Sequence, residues 1–253
     1  MLITSEDNSL IKKIKKLREK KGRYEEGLFF VEGVNSVKEA LNSRFKVEYV
    51  IVGEHVNLDY RGNFKLIRIK DGLFKKISDT VTPQKVMAVV RMPEFRVEDL
   101  IKEEGVFIVA DNIQDPGNLG TIIRTADAFG VDAVFTINNS VDIYNPKVLR
   151  ASMGSIFHIP VVATSEDVLF KLKEKGIKVF ATHLKAESFV HEFDLKEGVA
   201  FVLGNEARGV SSLSCVDDFI KIPMTGKAES LNVSIAAAIF LYESQRQRLI
   251  KNK

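Results

Sequence analysis

Three polar stretches of the sequence follow apolar runs, and each carries side chains able to bind a ligand or take part in a reaction. They are residues 111–126, 202–210 and 222–236. Ligands of α/β proteins usually bind beyond the carboxyl ends of the strands. If each apolar run is a strand, we expect the three stretches to lie together at one edge of a sheet.

Each stretch has a chemical use and a structural alternative. The turn at residues 115–118 places Asn118 as the expected cap of a helix over residues 118–129. Arg124 lies on that helix among small and apolar residues, so its guanidinium requires a carboxylate or a bound anion. Gly204 in the second stretch permits close approach of a ligand to the backbone. The third stretch ends in a helix N-terminus with free N–H donors. Taken singly, each stretch is also consistent with an ordinary loop that joins a strand to a helix and has no chemical role.

Several common kinds of site are missing from the sequence. It contains neither a G-x-G-x-x-G fingerprint nor a G-x-x-x-x-G-K-[ST] loop. The scattered histidines predict neither a metal site nor a Ser-His-Asp triad. A single cysteine, Cys215, excludes an internal disulfide and fits a reducing cytosol. No apolar run approaches the roughly 18 residues that span a bilayer, and polar residues 5–7 argue against a secretory leader, so a cytoplasmic location is expected.

Short strands alternate with helices along the chain, which predicts an α/β fold with two domains. Residues 1–92 form a small α/β domain, residues 93–104 a charged linker, and residues 105–253 a second domain. The continuous apolar run at residues 106–110 is typical of a parallel strand covered on both faces. We therefore expect the second sheet to be mostly parallel.

One segment near the N-terminus is strongly basic. Between Lys12 and Arg23, eight basic residues accompany a single acid, Glu19. Such a density of one sign is costly by self-repulsion unless a polyanion is nearby, although a solvated helix face is the alternative. The residues expected to contact nucleic acid are Lys12, Lys13, Lys15, Lys16, Arg18, Lys20, Lys21 and Arg23.

Together the three polar stretches resemble the SpoU, or TrmH, family of SPOUT methyltransferases. The matching residues are Asp115-Pro116-Gly117-Asn118 with Gly120 and Arg124-Thr125-Ala126, then Leu203-Gly204-Asn205-Glu206, then Ile222-Pro223-Met224 with Ser230-Leu231-Asn232-Val233-Ser234. Residues 150–155 are similar to a further family segment. Residues 1–92 are similar to the L30e-like substrate-binding domain that many members carry. Ala207-Arg208 stand where many members have Gly-Lys or Gly-Glu.

The resemblance implies an RNA ribose 2′-O-methyltransferase that uses S-adenosyl-L-methionine. It also implies that the second domain ends in a deep trefoil knot, which general topology rules would not predict. The residues expected to contact the cofactor are Thr182, Leu203, Gly204, Asn205, Ile222, Met224, Ser230, Leu231 and Asn232. The residues expected at the catalytic site are Arg124, Asn118, Glu206, Ser230 and Asn232.

Two further helices are predicted by apolar periodicity, over residues 147–157 and 230–250. The last one is apolar almost all round up to Tyr242, so it is buried on more than one side. Core burial alone accounts for this pattern. The family resemblance adds a homodimer in which this helix region packs against its mate.

The role of Arg124 has two interpretations. In one, it is the base that takes the proton of the 2′-hydroxyl. In the other, it is a cationic donor that orients the adjacent phosphate and stabilises negative charge on O2′. A free guanidinium keeps its proton to beyond about pH 12, which favours the donor.

The RNA acceptor is not named by the sequence. Ribosomal RNA is favoured over transfer RNA because the N-terminal domain resembles those of ribosomal RNA modifiers. The alternatives are a transfer RNA methyltransferase, methylation of a base nitrogen, and a catalytically inactive RNA-binding protein of the same fold.

Overall fold

The computed structural model describes residues 2–57, 62–184, 186–205, 209–211 and 215–251. It divides into two compact units, Met1–Glu94 with Tyr144–His158 and Phe95–Ile143 with Ile159–Lys253. Along the described ranges the helices and strands are β1 Leu2–Ile3, α1 Ser9–Lys16, α2 Lys20–Glu26, β2 Leu28–Glu32, α3 Val34–Asn42, β3 Val47–Gly53, β4 Lys65–Ile69, α4 Asp71–Ile77, β5 Val86–Arg91, α5 Val97–Leu100, β6 Val106–Asp111, α6 Pro116–Ala128, β7 Ala133–Ile137, α7 Pro146–Ala151, β8 Val161–Ala163, α8 Asp167–Glu174, β9 Lys178–Thr182, β10 Ser188–Phe189, β11 Val199–Leu203, β12 Asp218–Lys221 and α9 Val233–Lys251.

The first unit is built on a five-stranded sheet in the order β1-β4-β3-β5-β2. The β1, β4 and β3 strands are parallel, whereas β5 runs antiparallel to β3 and β2. Helix α1 forms because Ile11 and Ile14, three residues apart, share one buried face. The Leu10 N–H donates to Asn8 Oδ1 at 3.0 Å and so caps the helix. The basic segment is therefore two helices, α1 and α2, joined by a turn.

A segment from the middle of the chain, Tyr144–His158, completes the first unit. The ring of Phe29 on β2 stacks on Tyr144 at 4.6 Å between centroids, and Phe157 lies 6.1 Å away on a nearly parallel plane. Such aromatic pairs stabilise packing beyond the area they bury. By chain order the segment falls within residues 105–253, but its packing partners are those of the N-terminal unit.

The second unit contains a seven-stranded sheet in the order β10-β12-β9-β11-β6-β7-β8, with every neighbouring pair parallel. Every residue of β6 and β11 is buried, as a parallel strand covered on both faces requires. The expected mostly parallel sheet is thus confirmed. The strands β12, β9 and β11 are neighbours, so their carboxyl ends lie side by side.

The start of α6 differs from the prediction. The helix begins at Pro116, and the Asn118 N–H donates to Asp115 Oδ1 at 2.8 Å. Asp115 is therefore the cap, and the predicted capping role of Asn118 is wrong. Proline lacks an N–H and suits the first helical position, which shifts the helix start toward the N-terminus.

Two other helices are shorter than predicted. The expected helix over residues 147–157 ends at Ala151, because Met153 and Gly154 adopt left-handed backbone with φ of 51° and 98°. The last helix begins at Val233 rather than at residue 230. In the described ranges, none of the helices is both long and apolar enough to span a membrane.

Candidate active site

A cavity of about 510 Å³ opens at the carboxyl ends of β9, β11 and β12 in the second unit. Of the residues expected to contact the cofactor, those that line it are Thr182, Gly204, Asn205, Ile222, Met224, Ser230 and Leu231. Leu203 is fully buried in β11 and Asn232 precedes α9, and neither lines the cavity. The structure thus brings residues from the second and third polar stretches together around one space.

Sequence reasoning missed part of the cavity wall. The additional lining residues are His183, Leu184, Phe189, Gly209, Ile220, Lys221, Val233, Ala236 and Phe240. His183 and Leu184 directly follow β9, so the strand-end rule applied to that strand would have found them. Ala236 and Phe240 are four residues apart on α9 and share a face. Phe189 belongs to a two-residue strand that leaves no periodic signal.

The wall offers unused backbone donors beside apolar side chains. Within the described ranges, the N–H groups of Ile222, Met224 and Leu231 have no hydrogen-bond partner. An adenine nucleoside presents ring-nitrogen acceptors and two apolar faces, and a site for it needs both kinds of contact. The volume also lies within the roughly 300–1,000 Å³ usual for small-molecule sites. The residues present therefore fit S-adenosyl-L-methionine.

Gly204 is required by the loop that returns past it. A Cβ at this position would lie 2.2 Å from the Gly209 carbonyl carbon and 2.3 Å from the Val210 nitrogen. Asn205 and Gly209 exchange two backbone hydrogen bonds at 3.1 and 2.8 Å, which closes the loop over Gly204. The sequence predicted that a ligand approaches Gly204 closely. In the structure, the atoms closest to where a Cβ would lie are backbone atoms of Gly209 and Val210.

Asn118 and Asn232 join the first and third polar stretches. Asn232 Nδ2 donates to Asn118 Oδ1 at 2.9 Å. On its other side, Asn232 Oδ1 accepts from the N–H and the hydroxyl of Ser234 at 2.9 and 2.6 Å, so Asn232 caps α9. The pair therefore fixes the beginning of α6 to the beginning of α9.

Arg124 lies on the exposed side of α6. Among the described residues its guanidinium makes no ion pair, including none with Asp115. Of the two partners expected for it, a carboxylate or a bound anion, no carboxylate is found among the described residues, and the exposed side chain leaves the guanidinium open to an anion. Among the described residues, no hydrogen bond links Arg124 to Asn118, Ser230 or Asn232.

Glu206, expected at the catalytic site, lies outside the described residues, as do its neighbours Ala207 and Arg208. Within the part of the chain that is described, no group of three or more His, Cys, Asp and Glu side chains is placed to hold a metal ion. The polar groups that line the described cavity are backbone N–H groups and the side chains of Thr182, His183, Asn205, Lys221 and Ser230.

Several cations of α1 and α2 in the first unit are paired with carboxylates. Lys12, Lys13 and Lys15 lie 2.9, 2.9 and 2.7 Å from the carboxylates of Asp7, Glu26 and Glu6. Arg18 and Lys21 are more loosely paired, at 3.7 Å from Asp79 and 3.8 Å from Glu25. Exposed pairs of this kind stabilise little but lower the net field of the helices.

Glu6 shows how strongly one of these pairs acts on a carboxylate. Hydrogen bonds from the ammonium groups of Lys15 and Lys76 lower the pKa of Glu6 to about 2. The carboxyl therefore stays ionised far into acid and keeps both lysines partly neutralised.

The remaining cations differ sharply from one another. Arg23 is only 2% exposed, and its Nη1 donates to the carbonyl oxygens of Leu17 and Arg18, both at 2.9 Å. It satisfies backbone acceptors at the turn after α1 and is not offered at the surface, against expectation. Lys16 and Lys20 are exposed, and neither forms an ion pair with any described carboxylate. The Lys20 ammonium lies 5.8 Å from the centre of the exposed Tyr24 ring.

Comparison with known proteins gives a matching family model for each of two parts of the chain. The model of the SpoU rRNA Methylase family matches residues 105–242, and that of the MRM3-like substrate binding domain matches residues 8–88. The chain is 39% identical to the 23S rRNA (guanosine(2553)-2'-O)-methyltransferase RlmP of Bacillus subtilis (strain 168), over 95% of this chain and 97% of that protein.

Two solved structures share the whole architecture. The SpoU methyltransferase AviRb from Streptomyces viridochromogenes, in complex with the cofactor AdoMet, gives a TM-score of 0.88 at 28% identity, over 96% of this chain and 98% of that chain. The AdoMet-bound rRNA methyltransferase from Sinorhizobium meliloti gives 0.87 at 28% identity, over 97% of each chain. Because this family model matches residues 105–242, more than half of the chain, the chain belongs to the SpoU rRNA methylase family.

Proposed function

We propose that this protein transfers a methyl group from S-adenosyl-L-methionine to the 2′-hydroxyl of a ribose in ribosomal RNA. The observation that carries the proposal is the cavity at the ends of β9, β11 and β12, with the open N–H groups of Ile222, Met224 and Leu231 in its wall. When bound there, the cofactor supplies an electrophilic methyl group on a sulfonium. The acceptor follows from relatives named as 23S rRNA 2'-O-methyltransferases.

The chain's own residues hold the reactants and manage charge. The hydrogen bond between Asn118 and Asn232 fixes the start of α6 to the start of α9 at the cavity. The hydroxyl of Ser230 lies in the cavity wall, where it can donate to a bound ligand or to the ribose. Glu206 is proposed to act at the catalytic site together with Asn118, Ser230 and Asn232.

Arg124 is proposed as the cationic donor of the reaction. Its guanidinium is exposed and free of any described carboxylate, so its charge is available to an RNA phosphate. Because a guanidinium holds its proton at neutral pH, it stabilises negative charge that develops on O2′ rather than accepting the proton. The proton then leaves to phosphate or water.

The N-terminal domain, residues 1–92, is proposed to bind the RNA, with residues 93–104 as the linker to the catalytic domain at residues 105–253. The exposed cations Lys16 and Lys20 support this, as does the match to a substrate binding domain over residues 8–88. We place the enzyme in the cytoplasm, which cell fractionation would contradict if the protein sedimented with membranes.

A homodimer is proposed through α9. Ile235, Tyr242 and Leu249 recur every seven residues on one side of the helix and are 51%, 59% and 58% exposed. A stripe of this kind at heptad spacing is typical of a helix that packs against a partner. A solution mass equal to one chain, measured by light scattering at micromolar concentration, would contradict the dimer.

The trefoil knot is proposed for the end of the second unit. The order β12-β9-β11-β6 supports it, because β11 lies between β9 and β6 although it follows both in the chain. A crystal structure in which the last segments do not pass through a loop of the chain would contradict the knot.

The central test combines cofactor binding with product analysis. The purified protein is expected to bind S-adenosyl-homocysteine in calorimetry and to move tritium from labelled S-adenosyl-methionine into ribosomal RNA, giving a ribose that resists alkaline cleavage. Gly204→Ala is expected to abolish detectable binding, since the added Cβ meets backbone atoms at 2.2 Å. The matched control is Gly72→Ala, where a Cβ meets nothing within 4 Å. Absence of heat with wild-type protein would overturn the methyltransferase proposal.

A further inference from the structure

A buried carboxylate lies next to the candidate site and has no role in the proposed reaction. Asp111 is the last residue of β6 and has no exposed surface. Among the described residues, no lysine, arginine or histidine forms an ion pair with it. A buried charge without a counterion is costly unless hydrogen bonds compensate it.

The compensation comes from two residues that lie far from Asp111 in sequence. The Ser211 N–H donates to Oδ2 at 2.5 Å, and the Ser211 hydroxyl lies 2.7 Å from both carboxylate oxygens. Asn138 Nδ2 donates to Oδ1 at 2.5 Å and to the Ser211 oxygen at 3.0 Å. Hydrogen bonds to an ionised acceptor are roughly twice as strong as neutral ones, so Asp111 holds Ser211 firmly.

Ser211 belongs to the described segment 209–211, whose backbone lies against Gly204. Two residues before it, Gly209 is bonded to Asn205 through both backbone groups, and a Cβ on Gly204 would touch Gly209. Gly204, Asn205 and Gly209 all line the cavity. Any displacement of Ser211 is therefore passed through Gly209 to the cavity wall. A second tie to the same strand end is the bond from Asn205 Nδ2 to the Asn112 carbonyl at 3.1 Å.

We propose that Asp111 is a positioning residue for the cofactor site: through Ser211 it fixes residues 209–211, and with them the neighbouring Gly204 and Asn205, in the conformation that binds the cofactor. The inference rests on the proposed function of the cavity. It assigns Asp111 no contact with substrate and no part in proton transfer.

The test is Asp111→Asn in the 253-residue chain, measured by calorimetry with S-adenosyl-homocysteine. We expect the dissociation constant to rise by about 10-fold to 100-fold, because bonds to a charged group are worth roughly 1.5–3 kcal/mol and 1.4 kcal/mol is tenfold. Affinity for RNA without cofactor is expected to remain unchanged. The matched control is Asp132→Asn, since Asp132 accepts a backbone N–H from Val106 at the opposite end of the same strand. This control is expected to bind cofactor as wild type does.

Two further measurements separate positioning from a general loss of fold. For Asp111→Asn we expect the KM for S-adenosyl-methionine to rise while kcat at saturating cofactor stays within about threefold of wild type, because only binding geometry changes. Ser211→Thr keeps the hydroxyl donor and is expected to retain affinity, whereas Ser211→Ala is expected to weaken it several-fold.

The outcomes decide between the two proposals. Wild-type binding by Asp111→Asn, or, if that variant does not fold, equal wild-type binding by Ser211→Ala and Ser211→Thr, would overturn the role of Asp111. No binding by the wild-type protein itself would instead overturn the proposed function.

Discussion

The basic segment of α1 and α2 and the single arginine of α6 are both cationic, but the surroundings of their charges differ. In the segment, Lys12, Lys13 and Lys15 are each within 3 Å of a carboxylate, and Arg23 is buried against carbonyl oxygens. Arg124 is exposed, and among described residues it has no carboxylate partner. Counting basic residues therefore overestimates the positive charge that α1 and α2 offer to a ligand. The apolar pattern of α6 suggests a buried helix and gives no sign that Arg124 is exposed.

The largest effect is expected where the charge is free. Arg124→Ala is expected to lower methyl transfer by roughly 10² or more, the size usual for one lost charge-stabilising donor, while cofactor affinity and thermal stability stay unchanged. Arg124→Lys is expected to be poor as well, since an ammonium lacks the planar fork. Arg91→Ala, an exposed arginine paired with Glu48, is the control. Transfer of tritium by Arg124→Ala at near the wild-type rate would show that Arg124 is not the cationic donor.

The buried cation is expected to act on stability alone. Arg23→Met removes the donors to the Leu17 and Arg18 carbonyls and is expected to lower the free energy of unfolding by about 1–3 kcal/mol. The salt dependence of RNA binding is expected to stay the same, because a buried guanidinium releases no counterion. Chemical denaturation and filter binding measure the two quantities. A flatter salt slope in Arg23→Met would mean that this arginine reaches RNA.

A smaller effect is expected from the exposed lysines, and the structure ranks them. The double variant Lys16→Gln with Lys20→Gln removes two unpaired charges and is expected to reduce the salt slope of RNA binding by about 2. Lys12→Gln with Lys13→Gln is the matched comparison, and a smaller change is expected because both lysines are already paired. Equal slopes for the two double variants would show that these ion pairs do not survive in the complex.

The smallest effect is expected from the dependence of folding stability on pH through the ionisation of Glu6. The pKa of Glu6 is lowered to about 2, so its unfolded-state value is the higher one. The stabilisation it gives is present above pH about 4.5 and is lost as pH falls through the folded-state value. A carboxyl signal of Glu6 that titrates by NMR near its ordinary value would contradict this, and Glu6→Gln is expected to remove the dependence.

The alternation of strands and helices and the apolar run at residues 106–110 predicted the mostly parallel sheet, which is confirmed. The sequence motifs predicted the family and the cofactor, and both are confirmed, because each motif is a local arrangement at the end of a strand. Seven of the residues expected at the cofactor site line one cavity for the same reason.

What the sequence could not predict depends on contacts between distant residues. The burial of Arg23 is set by the turn between α1 and α2, and periodicity does not report where that turn directs a side chain. The neighbour that makes Gly204 necessary is Gly209, which local propensity cannot place. Proline at position 116 moved the start of α6, and a capping rule applied to Asn118 alone missed it.

Because Tyr144–His158 packs with the N-terminal unit, truncating the chain at a single position cannot separate the two compact units. A fragment beginning at Glu103 would carry Tyr144 and Phe157 without the ring of Phe29 that covers them. Bare aromatic surface of this kind favours aggregation. A clean catalytic fragment would need Ile143 rejoined to Ile159 by a short bridge. Fusing such an N-terminal unit to another methyltransferase would therefore not be enough by itself. The methyltransferase would also need an internal segment, equivalent to Tyr144–His158, that packs with the added unit.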